Sequence, residues 1–321
     1  MEVAILIHGK YLNIMIKNKT SSKVNIKKIS YRKTANGSYI LCADKSELII
    51  VEEEVAYAIL CNRNLNIKEN ENLFEVLKSN KFIVDEGEII RSLPDEPMKK
   101  SFSALRNLLL CIYLFSVATI VLDSGSGLIL SGVDLVACKT NFFILLFVGI
   151  AFSICTTILH EFMHVVFSNN MRNVKNLLSI SIVKSIAYVP LTHVWTWSLP
   201  SRLMAVAAGV MLDTIIFAIV LILRKIYDSE ILLLFSSIML LRIVWQFGCH
   251  RQTDGKYFVM MLLDNPMIDI DYKNNKELLT EKERYIWSAI IVLGVIVDIY
   301  LMAFWIAPVL YKIFEWMRGM L

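Results

Sequence analysis

Residues 142–168 read FFILLFVGIAFSICTTILHEFMHVVFS, with His160-Glu161-Phe162-Met163-His164 near the end of the stretch. The run exceeds the about 20 residues that a helix needs to cross a bilayer. From Phe142 to Phe167 the sole formal charge is Glu161. Ionisable groups in such surroundings are costly and mark functional positions. On a helix, residues four apart share a face, so His160 and His164 can reach one metal ion. Glu161 stands beside them, where a carboxylate can take a proton from a water that the metal acidifies. The stretch therefore predicts both a membrane helix and a metal-dependent hydrolytic site within it.

Outward from this stretch the chain divides in two. Its 321 residues are 56% hydrophobic, with a mean hydropathy of +0.57, whereas soluble domains are roughly 45–50% apolar. Residues 1–100 are polar and rich in Lys and Glu, and residues 103–315 carry the long apolar runs. The expectation is a soluble domain over 1–95 joined to a polytopic membrane domain over 96–321. The net charge of +4 is modest and its basic residues are interspersed with acids, which excludes a nucleic-acid footprint. Cys42, Cys61, Cys111, Cys138, Cys155 and Cys249 form no CxxC pair. Buried free thiols are expected rather than disulfides or a cysteine metal site. Val3 to Ile7 is too short for a signal-peptide core and lacks a basic lead, so the first hundred residues are expected in the cytosol.

Within the soluble part, Val3 to Met15, Ser38 to Ala43, Glu47 to Val51 and Phe82 to Val84 have strand composition, and Glu52 to Cys61 and Asn70 to Ser79 read as helices. That order suggests a small α+β, winged-helix-like domain, closed by a linker at Pro94 and Pro97. Apolar spans follow at Leu105 to Leu122, Phe142 to Ser168, Leu203 to Leu223, Ile231 to Phe247 and Tyr285 to Phe314. The fold class expected is mainly α, a polytopic helical membrane protein with five to six transmembrane helices. Asp123 to Asn141 reads as a loop, Leu177 to Val183 and Ala187 to Val194 as β-prone, and Tyr257 to Leu263 as a short apolar helix. Lys99, Lys100 and Arg106 favour a cytosolic N-terminus, against which Arg224 and Lys225 fit less well.

Catalytic zinc usually has three protein ligands and a water. The acids of the membrane part include Asp213, Asp254, Asp264 and Asp298, and the other histidines are His8, His193 and His250. Asp254 stands out, because it follows the fourth span and Gly255 allows a close backbone turn. Asp213, inside the third span, is open as an acid behind the ligands or as an alternative ligand. His250 reads as an interfacial histidine or one behind the ligands. His193 precedes Trp195 and Trp197 and reads as interfacial or as lining a substrate cleft.

HExxH in one membrane helix with a downstream Asp-Gly before an apolar helix resembles the site-2 protease family of intramembrane zinc metalloproteases. Two further stretches agree. Pro190 to Val210, with Trp195, Trp197, Arg202 and Ala207-Ala208-Gly209, is similar to the family segment leading into the helix after the HExxH helix. Asp254-Gly255-Lys256-Tyr257-Phe258 through Leu262-Leu263-Asp264-Asn265-Pro266 resembles the pattern of the peptide zinc metalloprotease branch, which accompanies systems making ribosomally synthesised modified (bacteriocin-like) peptides. The resemblance covers roughly residues 142–270. It implies one Zn2+ bound by His160, His164 and Asp254, Glu161 as general base, and a multi-pass location in a bacterial plasma membrane. It also implies a membrane-associated peptide precursor or its leader as substrate, with modifying enzymes and an exporter as partners. Tyr39 to Val84 is similar to small winged-helix-like domains that grip leader peptides.

The chain departs from the family before Asp254, where Gln246-Phe247-Gly248-Cys249-His250-Arg251-Gln252-Thr253 lacks the expected asparagine. Gln246 is a candidate substitute in substrate handling. Gly209-Val210 replaces a common Gly-Pro. Other expectations stay open at this point. They are regulated cleavage of a membrane regulatory protein, a non-proteolytic export or immunity protein, and a membrane zincin with a Glu ligand.

Overall fold

A computed structural model describes residues 3–6, 23–61, 64–66, 71–85, 87, 92–124, 132, 140–171 and 191–318. The soluble part is built on strands β1 (Val3–Leu6), β2 (Lys23–Asn25), β3 (Ser30–Lys33), β4 (Tyr39–Cys42), β5 (Leu48–Val51) and β6 (Asn64–Asn66), with helices α1 (Glu53–Cys61) and α2 (Glu71–Ser79). One sheet has the order β1-β5-β4-β3, antiparallel except for the β1–β5 pair, and β2 pairs with β6. The expected strand at Phe82 to Val84 amounts to a single bridge, Ile26 to Ile83. The α+β character holds, while a parallel β1–β5 pairing is not the signature of a winged helix.

β4 (YILC) and β5 (LIIV) are apolar without alternation because both of their faces are buried. Leu41, Ile49 and Val51 pack on Val55, Ala56 and Ile59 of α1 and on Leu73 and Leu77 of α2. Ile40, Leu48 and Ile50 face the other way, into a core shared with Phe167, Trp195 and Trp197. The sheet is thus the joint between the soluble and helical parts.

The helical part comprises α3 (Lys100–Ser124), α4 (Phe142–Phe167), α5 (Leu199–Ile226), α6 (Glu230–Gln246), α7 (Asp254–Leu262), α8 (Ile268–Asn274) and α9 (Glu281–Leu301). A π-helical turn at Met302–Ile306 links α9 to α10 (Ala307–Arg318), and a 3-10 turn at Thr192–Thr196 precedes α5. Among the described residues four helices are long and apolar enough to cross a membrane: Lys100–Asp123, Phe143–Phe167, Leu199–Ile226 and Glu281–Glu315. By length and composition the count among these described residues is four, against the five to six expected. The expected fourth span became α6, whose 17 residues sit at the short limit of a crossing. The β-prone stretch before residue 191, most of the 123–141 loop, the strand beyond Leu6 and Cys138 lie outside the described residues. Among the described cysteines all are free; Cys42 and Cys249 are buried, but Cys61, Cys111 and Cys155 are exposed.

α5 is the central pillar, packed against α3, α4, α6 and α7. Ala205, Ala208, Gly209 and Ala218 lie on its buried side and let neighbouring helices approach closely. Helix direction alternates. Phe102 of α3 meets Phe167 of α4, with ring centroids 5.4 Å apart. Lys225 at the far end of α5 pairs with Asp123 at the far end of α3, and Thr140 before α4 bonds Glu230 at the start of α6. The linker finishes the near end. Glu96 accepts from Ser198 N at 3.0 Å and Ser201 Oγ at 2.6 Å. A carboxylate there satisfies the N–H of the cap residue Ser198 and faces the positive end of the α5 dipole.

Candidate metal centre

His160 and His164 lie one turn apart on α4, about 10 Å and 5 Å from its end at 1.5 Å per residue. Their Nε2 atoms are 3.2 Å apart. Asp254, the first residue of α7, brings Oδ2 to 3.0 Å from His160 Nε2 and 3.3 Å from His164 Nε2. Among the described residues these three form a group able to hold a metal ion. The spacing suits one, since tetrahedral ligands at about 2.0–2.1 Å from an ion lie about 3.3–3.4 Å from each other.

The donor chemistry gives a stronger argument. His164 Nδ1 is 2.8 Å from the Ala205 carbonyl, which can only accept, so Nδ1 carries the proton. His160 Nδ1 is 2.8 Å from Asp213 Oδ2, and the same logic applies. In the neutral form each ring then points its Nε2 lone pair at the other ring and at the Asp254 carboxylate, an arrangement that a cation among the three would satisfy.

Groups behind the ligands fix this arrangement. Asp213 is wholly buried on α5 and is neutralised by Arg242 of α6, whose Nη2 is 3.2 Å from Oδ1 and 3.3 Å from Oδ2. Arg242 Nη1 also donates to Thr156 and Thr157 Oγ1, each at 2.9 Å. Such outer partners set ring orientation and ligand basicity. Gly209 faces the His160 ring, and a Cβ there would stand 2.6 Å from ring carbons Cδ2 and Cε1. Asp254 is placed through Gln246, whose Oε1 accepts from Asp254 N at 3.0 Å, while Thr253 caps α7 by accepting from Lys256 N. Gly255 does not turn the chain around a metal as expected. It lies in the first turn of α7, where a Cβ would collide with the Gln246 carbonyl oxygen.

Glu161 is half-buried beside the two imidazoles. Its electrostatic neighbours are His164, His160 and Asp254, and its carboxylate makes no hydrogen bond among the described residues. Of the other sequence candidates, Asp213 and Gln246 support the centre as just described. His193 is buried away from it; its Nε2 donates to the Ser168 carbonyl at 2.9 Å just past α4, and burial holds its imidazole below the usual range. His250 faces α9, with Nε2 3.0 Å from Asp298 Oδ2. Arg242 escaped sequence reading, although it is the only charge in α6 after Glu230, a signal that intramembrane ionisable groups carry.

The fold and site define a helical chain with four candidate membrane spans among the described residues and a largely buried His-His-Asp group able to bind a metal. No family model, curated protein or solved structure matches the chain.

Proposed function

We propose that the chain is an intramembrane zinc metalloendopeptidase of the site-2 protease type. It acts on a membrane-associated peptide, a modified-peptide precursor or its leader, with the soluble domain on the cytosolic face of a bacterial plasma membrane. One observation carries the reading: His160 Nε2, His164 Nε2 and Asp254 Oδ2 converge within 3.3 Å, with the Glu161 carboxylate, without a hydrogen bond among the described residues, beside them. The similarity of residues 142–270 to the peptide zinc metalloprotease branch supports the substrate class.

A zinc ion held there supplies Lewis-acid polarisation of a peptide carbonyl and an acidified water. Glu161 takes the proton released on attack and returns it to the leaving amine. Asp213 and the Ala205 carbonyl keep each imidazole proton on Nδ1, so both Nε2 atoms stay free to ligate. α6 ends beside Asp254 and α7 continues to Asp264 at the soluble domain, so the two form one interrupted crossing. The break exposes backbone at the depth of the site, where irregular chain is tolerated only against protein or water. The substrate must likewise be unwound there, because a helix hides its carbonyls.

The test is Glu161→Gln in the full chain reconstituted in vesicles with a membrane-anchored fluorogenic peptide set. Zinc content should be unchanged while cleavage falls by about 100-fold or more. Cleavage that persists with zinc bound would sink the peptidase reading and favour a non-proteolytic export or immunity role.

A further inference from the structure

Amid the apolar joint between the two parts lies one polar knot. Asp264 follows α7 in a left-handed conformation, φ 54°, which is uncommon for a residue with a side chain. Its carboxylate accepts from Arg32 Nη2 at 2.5 Å, Arg32 Nη1 at 3.1 Å, Ala35 N at 3.1 Å and Arg202 Nη1 at 2.7 Å. Arg32 Nε donates in addition to the Trp195 carbonyl at 2.8 Å. The Arg32 and Asp264 side chains are only 18% and 17% exposed and Arg202 only 3%. The fork geometry is thus two-pronged and weakly screened.

The knot ties together three elements that matter to the metal centre. Arg32 sits on β3 of the soluble domain. Arg202 sits on α5 about one turn before Ala205, whose carbonyl holds His164, and about two turns before Gly209, against which His160 lies. Asp264 lies just past the short helix that begins at Asp254 and runs about 12 Å to Leu262. At its other end that helix is held by Gln246 and Thr253. Removing Arg32 would loosen one end of α7, leaving Asp264 with Arg202 and the Ala35 amide as its partners.

We infer that Arg32 is a positioning residue for the metal centre: through Asp264 and Arg202 it sets where α7 and α5 present Asp254 and the groups behind the two histidines. The inference rests on the metal-binding reading of that centre. Docking of the soluble domain and completion of the site are then one event, and the coupling is reciprocal. The apolar contacts of Ile40, Leu48 and Ile50 with Trp195 and Trp197 keep the domain attached without the arginine.

The experiment uses the full chain in lipid nanodiscs and measures zinc affinity by chelator competition. Arg32→Ala should weaken zinc binding about tenfold, the low end for groups behind ligands. Arg32→Lys, which keeps the charge but loses the fork, should recover part of it. Tyr31→Ala, the neighbouring exposed position on β3, should change nothing. In the unaltered chain, zinc should slow amide exchange in β3 and β4, and Arg32→Ala should lose that response. Affinity within twofold of the unaltered chain for Arg32→Ala, or β3 exchange indifferent to zinc, overturns the inference while the metal centre stands. An unaltered chain that binds no zinc overturns both. Should Arg32→Ala fail to fold, Arg32→Lys and the exchange response of the unaltered chain decide alone.

Discussion

Asp213→Asn removes one charge and almost no volume, which makes it a clean probe of how the metal centre is held. The carboxylate is wholly buried and lies between His160 Nδ1 at 2.8 Å and Arg242 Nη2 at 3.2 Å. An asparagine can still accept from Nδ1 through its oxygen, so ring orientation is partly kept and the loss has a floor. Its amide nitrogen must then face Arg242, donor against donor, which rotates the side chain or the arginine away. Groups behind metal ligands are worth about 10–100-fold in affinity, or about 1.4–2.7 kcal/mol at 1.36 kcal/mol per decade. Losing one charge-assisted hydrogen bond adds a fold-stability cost of about 1.5–3 kcal/mol, softened because Arg242 keeps Thr156 and Thr157. The assay is zinc competition against a chelator on the detergent-purified chain, beside Glu161→Gln as the control that should hold zinc normally. Asp213→Asn binding zinc within twofold of the unaltered chain, while folded, would show that His160 needs no anionic partner and would refute the tautomer argument.

Three further outcomes follow from neighbouring contacts. Gly209→Ala should lower zinc affinity at least tenfold by driving a methyl into the His160 ring, yet leave helicity unchanged or higher, since Ala is favoured over Gly by about 1 kcal/mol in a helix; circular dichroism and zinc titration read the two separately. Arg242→Met should cost about 3–5 kcal/mol in denaturant unfolding by stranding a buried charge, and adding Asp213→Asn should restore stability but not zinc affinity. His193 is held neutral in the fold by burial, so its folded pKa lies below the unfolded value of about 6.5. The unfolded chain then binds more protons below that pH, and stability present above it is lost as pH falls; thermal unfolding between pH 7 and 5 should show the slope, and His193→Gln, which can still donate to Ser168, should flatten it.

The ligands were legible because a helix makes spacing into geometry. His160 and His164 share a face by count alone, and Asp254 was marked by its place after an apolar span. Behind them, Asp213 and Gln246 were open as candidates, but their contacts were not legible, because these come from other helices. Asp213 reaches His160 only once α5 packs on α4, and Arg242 reaches Asp213 only once α6 folds back. The soluble strands β4 and β5 were found from their apolar runs, whereas β3 (SYRK) was missed, since its polar residues make contacts across the joint rather than a hydrophobic face. The run at 231–247 became α6, which stops at Gln246 beside Asp254, a stop that hydropathy does not register.

The joint also has a history in time. Ile40, Leu48 and Ile50 are made early, but Trp195 and Trp197, which cover them, emerge about 150 residues later. At 5–20 residues per second the delay is roughly 7–30 s. Throughout it the young sheet lacks the tryptophans that cover its apolar face. The domain encoded early is therefore among the last parts to be finished, completed only when the chain reaches α5.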